Sequence, residues 1–173
     1  MIDRRPALIL QCKGAADVIQ AVNFAREYQL LTAVRAGGHS AAGNFVCDGG
    51  LMIDLSPMQA VRVDPIARSA RIEPGVLLGA LDHETQAYGL AVPAGVVSDT
   101  GASGLTLVGG FGKLSRKYGL TVDNVRYFDV ITPSGEFKRA SVSENPDLFW
   151  GLRGGGGNFG VVTSFEYQLH PVG

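Results

Sequence analysis

Apolar residues recur along the chain with two spacings, which predict helices and strands. In the stretch 15–28 they return about every third or fourth position, which is typical of an amphipathic helix. The stretch 7–12 is a short apolar run that predicts a buried strand, and 31–35 predicts a second strand beyond the helix. This strand–helix–strand opening is compatible with an α+β or an α/β fold.

The remainder of the chain predicts further strands and two more helices. The stretches 60–64 and 68–73 predict a hairpin, because the turn-forming pair Asp64-Pro65 lies between them. A helix is predicted to open at Pro74-Gly75 and to end at about Tyr88. Its predicted apolar face consists of Val76, Leu77, Ala80, Leu81 and Thr85. The remaining predictions are strands at 51–55, 125–132, 137–140 and 161–169 and a short helix at 145–153.

Composition and charge narrow the classes of function. With 173 residues, 46% of them hydrophobic, the chain is long enough for one domain with a proper core. A net charge of −1 and the lack of basic runs argue against nucleic acid or an anionic membrane as partner. No apolar segment follows the N-terminus, and no run approaches the ~20 apolar residues of a membrane helix. We therefore predict a cytoplasmic protein without a signal peptide or a membrane segment.

Reactive side chains lack the spacings of several common sites. Cys12 and Cys47 are too few for a disulfide scaffold and form no Cys-x-x-Cys pair, so each is predicted to be a small buried residue. No spacing of His, Cys, Asp and Glu supports a metal site. No Gly-x-Ser-x-Gly sequence supports a serine hydrolase.

Glycine is the unusual component of the sequence. The chain has 24 glycines, about one residue in seven, whereas the usual share is ~7%. They cluster at 37–38, 95–112 and 154–160. Glycine turns at the ends of strands and the starts of helices expose backbone N–H groups that bind anions, and a diphosphate is a common ligand. A mononucleotide or a purely structural role remains open for any single cluster.

One glycine cluster contains a nucleotide-binding sequence in the wrong surroundings. Residues 155–160 match G-x-G-x-x-G, but a predicted helix precedes them and a predicted strand follows. The Rossmann motif requires a strand before the glycines and a helix after them. The pattern therefore indicates a nucleotide-type glycine arrangement outside the Rossmann class.

His39 is the histidine that lies within a glycine turn. Two interpretations remain open from the residues alone: a turn histidine that hydrogen-bonds its own backbone, or a functional residue. His83 in a predicted helix and His170 after the last predicted strand are expected to be structural or to face solvent.

Four motifs together resemble the FAD domain of berberine-bridge-enzyme-like oxidases, within the wider vanillyl-alcohol oxidase / p-cresol methylhydroxylase (PCMH) group. They are RAGGHS at 35–40, GASGLTLVGGFG at 101–112, LSRKYGLTVDN at 114–124 and DLFWGLRGGGGNFG at 147–160. The resemblance implies an α+β, PCMH-type FAD-binding domain. This domain would consist of two small α/β subdomains, approximately 1–56 and 57–173, packed together with the cofactor between them.

The resemblance also implies a function. The chain would be the FAD-binding portion of an oxidoreductase that oxidises an alcohol- or sugar-type or other activated C–H donor. Hydride would pass to covalently bound flavin, which oxygen or another acceptor would reoxidise. The alternative is a non-catalytic nucleotide-binding or structural relic of the same fold.

Residue by residue, the resemblance implies a cofactor site with His39 carrying an 8α-N-histidyl bond to the flavin. The implied cofactor-binding positions are Arg35, Ala36, Gly37, Gly38, His39, Ser40, Gly95, Val96, Thr100, Gly101, Gly104, Leu105, Gly109, Gly110, Gly112, Asp123, Asn124, Gly160 and Val162. Many plant members place a second flavin-linked cysteine where this sequence has Val97. We therefore expect a single covalent link.

Members of the family are well over twice this length, and their catalytic bases usually lie in a substrate domain. We expect that domain to be absent from this chain and predict no catalytic residue within it, so that the chain alone is inactive. A small-molecule substrate would bind through the missing domain. Apolar surface that this domain would cover makes self-association an expectation.

Overall fold

A three-stranded parallel sheet and one helix form the first part of the fold. The computed structural model describes residues 2–172. The elements here are β1 (Leu8–Gln11), α1 (Ala15–Glu27), β2 (Thr32–Arg35) and β3 (Leu51–Asp54), and the strand order is β1-β3-β2. Val18 and Val22 on α1 lie in one core with Leu51 and Ile53 of β3. The central strand β3 is therefore buried along its whole length.

The prediction that 7–12 forms a buried strand is correct in secondary structure and wrong in burial. The strand β1 lies at an edge of its sheet, and all four of its residues are exposed, Ile9 by 54%. An apolar run indicates a strand but carries no information about its position in the sheet. Here α1 packs over the central strand and leaves the edge uncovered.

A five-stranded antiparallel sheet dominates the second part. Its strands are β4 (Val61–Asp64), β5 (Ser69–Ile72), β7 (Val125–Ile131), β8 (Phe137–Ser141) and β9 (Val161–Gln168), in the order β4-β5-β9-β7-β8. The short strands β6 (Leu90–Ala91) and β10 (His170–Pro171) pair with each other. The predicted hairpin of β4 and β5 is confirmed, and the fold is α+β as predicted.

Four short helices accompany the second sheet: α2 (Leu78–Gln86), α3 (Ala102–Leu107), α4 (Ser115–Tyr118) and α5 (Pro146–Leu152). The predicted start of α2 at Pro74-Gly75 is wrong, because Leu77 is extended and forms a β-bridge with Gly101. The predicted apolar face of α2 is also partly wrong, since Ala80 is exposed and Leu78 is buried. The helix α3 lies inside the glycine-rich middle, where no helix was predicted.

The cores of the two sheets are linked. Phe128, Phe165 and Tyr167 are fully buried in the core of the five-stranded sheet. Ile131 and Val161, neighbours in that sheet, instead pack in the core of the three-stranded sheet. No helix among residues 2–172 is long and apolar enough to cross a membrane.

Candidate cofactor site

The first glycine loop touches the start of α3 backbone to backbone. A Cβ atom added to Gly37 would stand 2.4 Å from the Cα atom of Gly101, the residue that caps α3. A Cβ atom added to Gly101 would stand 2.8 Å from the Cα atom of Gly37. Both positions must therefore be glycine for the loop after β2 to reach α3.

The middle glycine cluster folds around the side chain of Leu105 in α3. Cβ atoms at Gly95 and Gly110 would stand 2.7 and 2.4 Å from the two methyl carbons of Leu105. Gly110 also has a φ of +73°, in the left-handed region that favours glycine. A Cβ atom at Gly112 would stand 1.8 Å from the carbonyl oxygen of Ala94. These glycines form a wall that has almost no side chains.

The third glycine cluster meets the other end of α3. The N–H group of Gly154 donates to the carbonyl oxygen of Leu107 at 3.1 Å, and Gly156 borders the side chain of Val108. Gly160 instead packs against the backbone of β7, where a Cβ atom would stand 2.4 Å from the carbonyl oxygen of Ile131. All three clusters thus contact α3, the helix that was not predicted.

Two buried hydroxyl groups hold α3 in place. The Ser103 hydroxyl donates to the carbonyl oxygen of Pro74 at 2.8 Å. Thr106 donates its one hydroxyl proton to the carbonyl oxygen of Ala102, so the phenol of Tyr167, 2.7 Å away, donates to Thr106. Burial raises the pKa of Tyr167, which keeps that proton in place.

The loop that carries His39 is braced by a buried carboxylate. Asp54, at the end of β3, accepts a hydrogen bond from the Ser56 N–H and lies 3.4 Å from the guanidinium of Arg35. Gly38 has a φ of +72° and lies beside that guanidinium. His39 follows and is exposed, and its ring has no hydrogen bond to any of residues 2–172. The ring is therefore accessible to a ligand, and the self-bonded turn histidine is not observed.

Comparison with known proteins identifies the family. A family described as "FAD binding domain" matches residues 6–141, more than half of the chain. The chain belongs to this FAD-binding family. An FAD-linked oxidoreductase of Dictyostelium discoideum is 45% identical over 167 residues, which cover 96% of this chain and 36% of that protein. The chain thus spans little more than a third of the length of such a relative.

Solved structures of this FAD-binding family share the fold. 6-Hydroxy-D-nicotine oxidase from Arthrobacter nicotinovorans superposes with a TM-score of 0.95 at 42% identity, over 97% of this chain and 37% of that one. The Physcomitrella patens protein BBE-like 1 superposes with a TM-score of 0.92 at 30% identity, over 97% and 38%. The predicted resemblance to berberine-bridge-enzyme-like proteins is confirmed.

The glycine-rich segments around α3 suit a bound dinucleotide in one respect. Glycine at Gly37, Gly95, Gly101 and Gly110 lets the backbone pack closely against α3 and Leu105, and backbone segments with few side chains can offer N–H groups to a diphosphate. Val96 and Val97 are exposed beside this wall. Thr100 and Ala36 flank the contact between Gly101 and Gly37, so most of the predicted positions lie around one helix.

Three predicted positions are tied to the protein by their side chains. Val162 is buried in the core of the five-stranded sheet. The Asp123 carboxylate accepts from the Leu120 N–H and from the guanidinium of Arg153. Asn124 is buried, and its amide nitrogen donates to two backbone carbonyls, so its oxygen accepts from Nε2 of His170 at 2.6 Å. The backbone N–H groups of Thr121 and Val122, just before Asp123 and Asn124, donate to the carbonyl oxygens of Gly110 and Gly109, so this segment supports the turn that carries the two glycines.

Sequence reasoning anticipated one of the residues that hold this arrangement together and missed two others. His170 was expected to be structural or exposed, and its hydrogen bond to Asn124 confirms the structural role. Thr106 and Tyr167 were not singled out, although a hydroxyl at an inward position of a strand signals a buried partner.

Cys12 and Cys47 are buried and free, as predicted. Residues 2–172 contain no group of three or more His, Cys, Asp or Glu that could hold a metal ion.

Proposed function

We propose that the chain is the FAD-binding part of an FAD-linked oxidoreductase acting on an alcohol- or sugar-type or other activated C–H donor. The convergence of three glycine clusters on α3 supports this proposal most directly. The relatives point the same way, since they include an (R)-6-hydroxynicotine oxidase and a chitooligosaccharide oxidase. When bound, FAD accepts a hydride and passes the electrons to oxygen or another acceptor.

The chain's own residues would bind and orient the cofactor. Backbone N–H groups of the loop 36–40 and of the 95–112 wall would hold the diphosphate and ring, while Asp54 keeps Arg35 and its loop in place. We propose two subdomains, approximately 1–56 and 57–173, with the cofactor between them. The remaining proposed contacts are Ser40, Gly104, Asp123, Asn124, Gly160 and Val162.

We propose His39 as the position of a single 8α-N-histidyl link. Its ring is exposed and uncommitted at the tip of the braced loop. A related glucooligosaccharide oxidase is described with a 6-S-cysteinyl, 8α-N1-histidyl FAD. Val97 is exposed beside the wall and has no thiol, so the second type of link cannot form there. No residue of this chain is proposed as catalytic, and a cytoplasmic location stays a prediction.

The test of the covalent link is the intact mass of the purified chain, with an absorbance spectrum after acid precipitation. We expect the mass of one added FAD in the wild type and its loss in His39→Ala. His83→Ala is the matched control, because His83 is exposed on α2, and it should retain the added mass. A wild-type chain with no flavin after incubation with FAD would favour the non-catalytic relic.

A further inference from the structure

A cleft lies between the start of α1 and the face of the five-stranded sheet that carries Arg71. Its volume is about 290 Å³, close to the lower end of the range for small-molecule sites. Met58 and Phe137 contribute apolar surface to its wall, and the rest is largely charged or polar. The residues that line this cleft are all different from the cofactor positions proposed above. It is therefore a separate place on the molecule.

Two arginines stand opposite each other at this cleft. Arg62 of β4 is the direct register partner of Arg71 of β5, and both line the cleft. Like charges directly opposite on neighbouring strands reduce stability. Arg62 is exposed, and its guanidinium forms neither a hydrogen bond nor an ion pair with any of residues 2–172. The fold itself gives no reason for a second positive charge at this position.

A buried carboxylate holds Arg71 in the cleft. Asp129 is 2% exposed and accepts from Arg71 at 2.7 Å and from Nε of Arg139 at 3.0 Å, so one negative charge serves two guanidinium groups. Nε of Arg71 donates to the hydroxyl of Ser164 at 2.8 Å. These two bonds fix the orientation of the Arg71 guanidinium and, among residues 2–172, use two of its five N–H groups.

Ser164 offers a further donor to the cleft. The residue is 5% exposed, and its hydroxyl oxygen accepts from Arg71. The hydroxyl proton has no acceptor among residues 2–172. A buried donor without an acceptor costs free energy, so this proton indicates that an acceptor from outside the protein belongs in the cleft.

The other carboxylates near the cleft are engaged. Glu73 accepts from the backbone N–H of Ala60 at 2.9 Å. Glu166, the register partner of Arg71, accepts from the hydroxyl of Tyr127 at 3.3 Å. The groups left for a ligand are thus mostly donors, namely two guanidinium groups and one hydroxyl. Such a set binds an anion that accepts several hydrogen bonds.

We propose that this cleft binds a small organic carboxylate. Arg62 and Arg71 would hold its two oxygens, and Ser164 would donate its hydroxyl proton to one of them. Met58 and Phe137 would cover the hydrocarbon part of the ligand. The bound carboxylate would also offset the repulsion between the two arginines. This inference does not depend on the proposed function, because no cofactor position takes part in it.

The experiment follows the melting temperature of the purified 173-residue chain in increasing sodium benzoate at constant ionic strength. We expect a saturable rise with benzoate and none with benzyl alcohol, which has a similar shape without the charge. Inorganic phosphate, which has no apolar part, should need a concentration about tenfold higher for the same rise. In Arg62→Gln, benzoate should bind about tenfold more weakly, while the free chain should melt about 1–2 °C higher because the repulsion is gone.

Arg5→Gln is the matched control for the loss of one positive charge. Arg5 is exposed and does not line the cleft, so this variant should bind benzoate like the wild type. Ser164→Ala should weaken benzoate binding by about fivefold. Amide chemical shifts of the wild type give the location: benzoate should move the signals of Arg62, Arg71 and Ser164, with or without FAD.

Four results would overturn the inference. They are a wild type without a saturable shift in benzoate, phosphate that binds as well as benzoate, Arg62→Gln that binds benzoate like the wild type or melts lower, and chemical-shift changes confined to the loop 36–40. The last result would assign the anion to the proposed cofactor site. None of the four bears on the proposed function, which the flavin mass tests separately.

Discussion

Glycines that look alike in the sequence have different physical reasons to be there. Position 112 must be glycine because a Cβ atom there would stand 1.8 Å from a backbone carbonyl oxygen, and that oxygen cannot move unless the surrounding chain moves with it. Gly157 has an ordinary backbone angle and open space around it. Both glycines belong to clusters that look alike in the sequence. Clustering therefore predicts a glycine-lined site but does not show at which positions the contacts require glycine.

The difference can be measured by alanine substitution. We expect Gly112→Ala to lower the free energy of unfolding by about 2 kcal/mol or more, because overlap with the Ala94 carbonyl forces the backbone apart. Gly157→Ala should change it by less than about 0.5 kcal/mol. Urea unfolding of the two variants checks this. Equal effects would contradict the assignment of the close contact at Gly112.

At the scale of elements, periodicity decided what could be predicted. The helix α1 and the strands β7 and β9 were located from the sequence because each is long enough to show its repeat, and the four-residue strands β4 and β5 were located because the turn-forming pair Asp64-Pro65 separates them. The helix α3 has six residues, begins after Gly101 and contains Gly104, so local preference argued against it. Contacts with Leu77, Pro74 and Tyr167 stabilise it instead, and such contacts are not visible in a single sequence.

The strand β10 brings a titratable group into the fold. Burial, and then the positive charge of Lys117, lower the pKa of His170, whose ring stacks on Tyr118 and donates to Asn124. The unfolded chain therefore binds a proton at His170 more readily than the folded chain does. The free energy of unfolding should fall as the pH drops through the ordinary histidine value of 6.5, until the lowered folded-state pKa is passed.

This contribution can be isolated by substitution. We expect His170→Gln, which can still donate to Asn124 but does not titrate, to lose less stability than the wild type between about pH 7.5 and pH 5. Urea unfolding at a series of pH values gives the difference. Parallel pH profiles for the two proteins would show that His170 does not titrate with folding.

Apolar side chains are exposed in more than one place on the molecule, and they are most concentrated at the edge of the three-stranded sheet. The residues Leu8, Ile9 and Leu10 are consecutive and exposed on β1, whose outer backbone groups have no strand partner among residues 2–172. Such an edge promotes association between copies. We therefore expect self-association of the chain to depend most on contacts made by β1.

A charge on the edge should prevent that association. We expect Ile9→Lys to shift the chain towards monomer in sedimentation velocity at several concentrations, with its melting temperature within about 2 °C of the wild type. Ile66→Lys is the control, because Ile66 is 96% exposed but stands alone at the tip of the β4–β5 hairpin. An unchanged association state in Ile9→Lys would exclude the β1 edge as the contact.

The placement of Ile131 and Val161 has a consequence for how the chain selects its cofactor. These two residues belong to one sheet and pack in the core of the other, so the two parts of the fold cannot separate without exposing both side chains. In the cofactor site proposed between the two parts, this shared core would hold the facing surfaces at a constant separation. Such a site would select its ligand by thickness, accepting a planar ring and rejecting a bulkier group of the same charge.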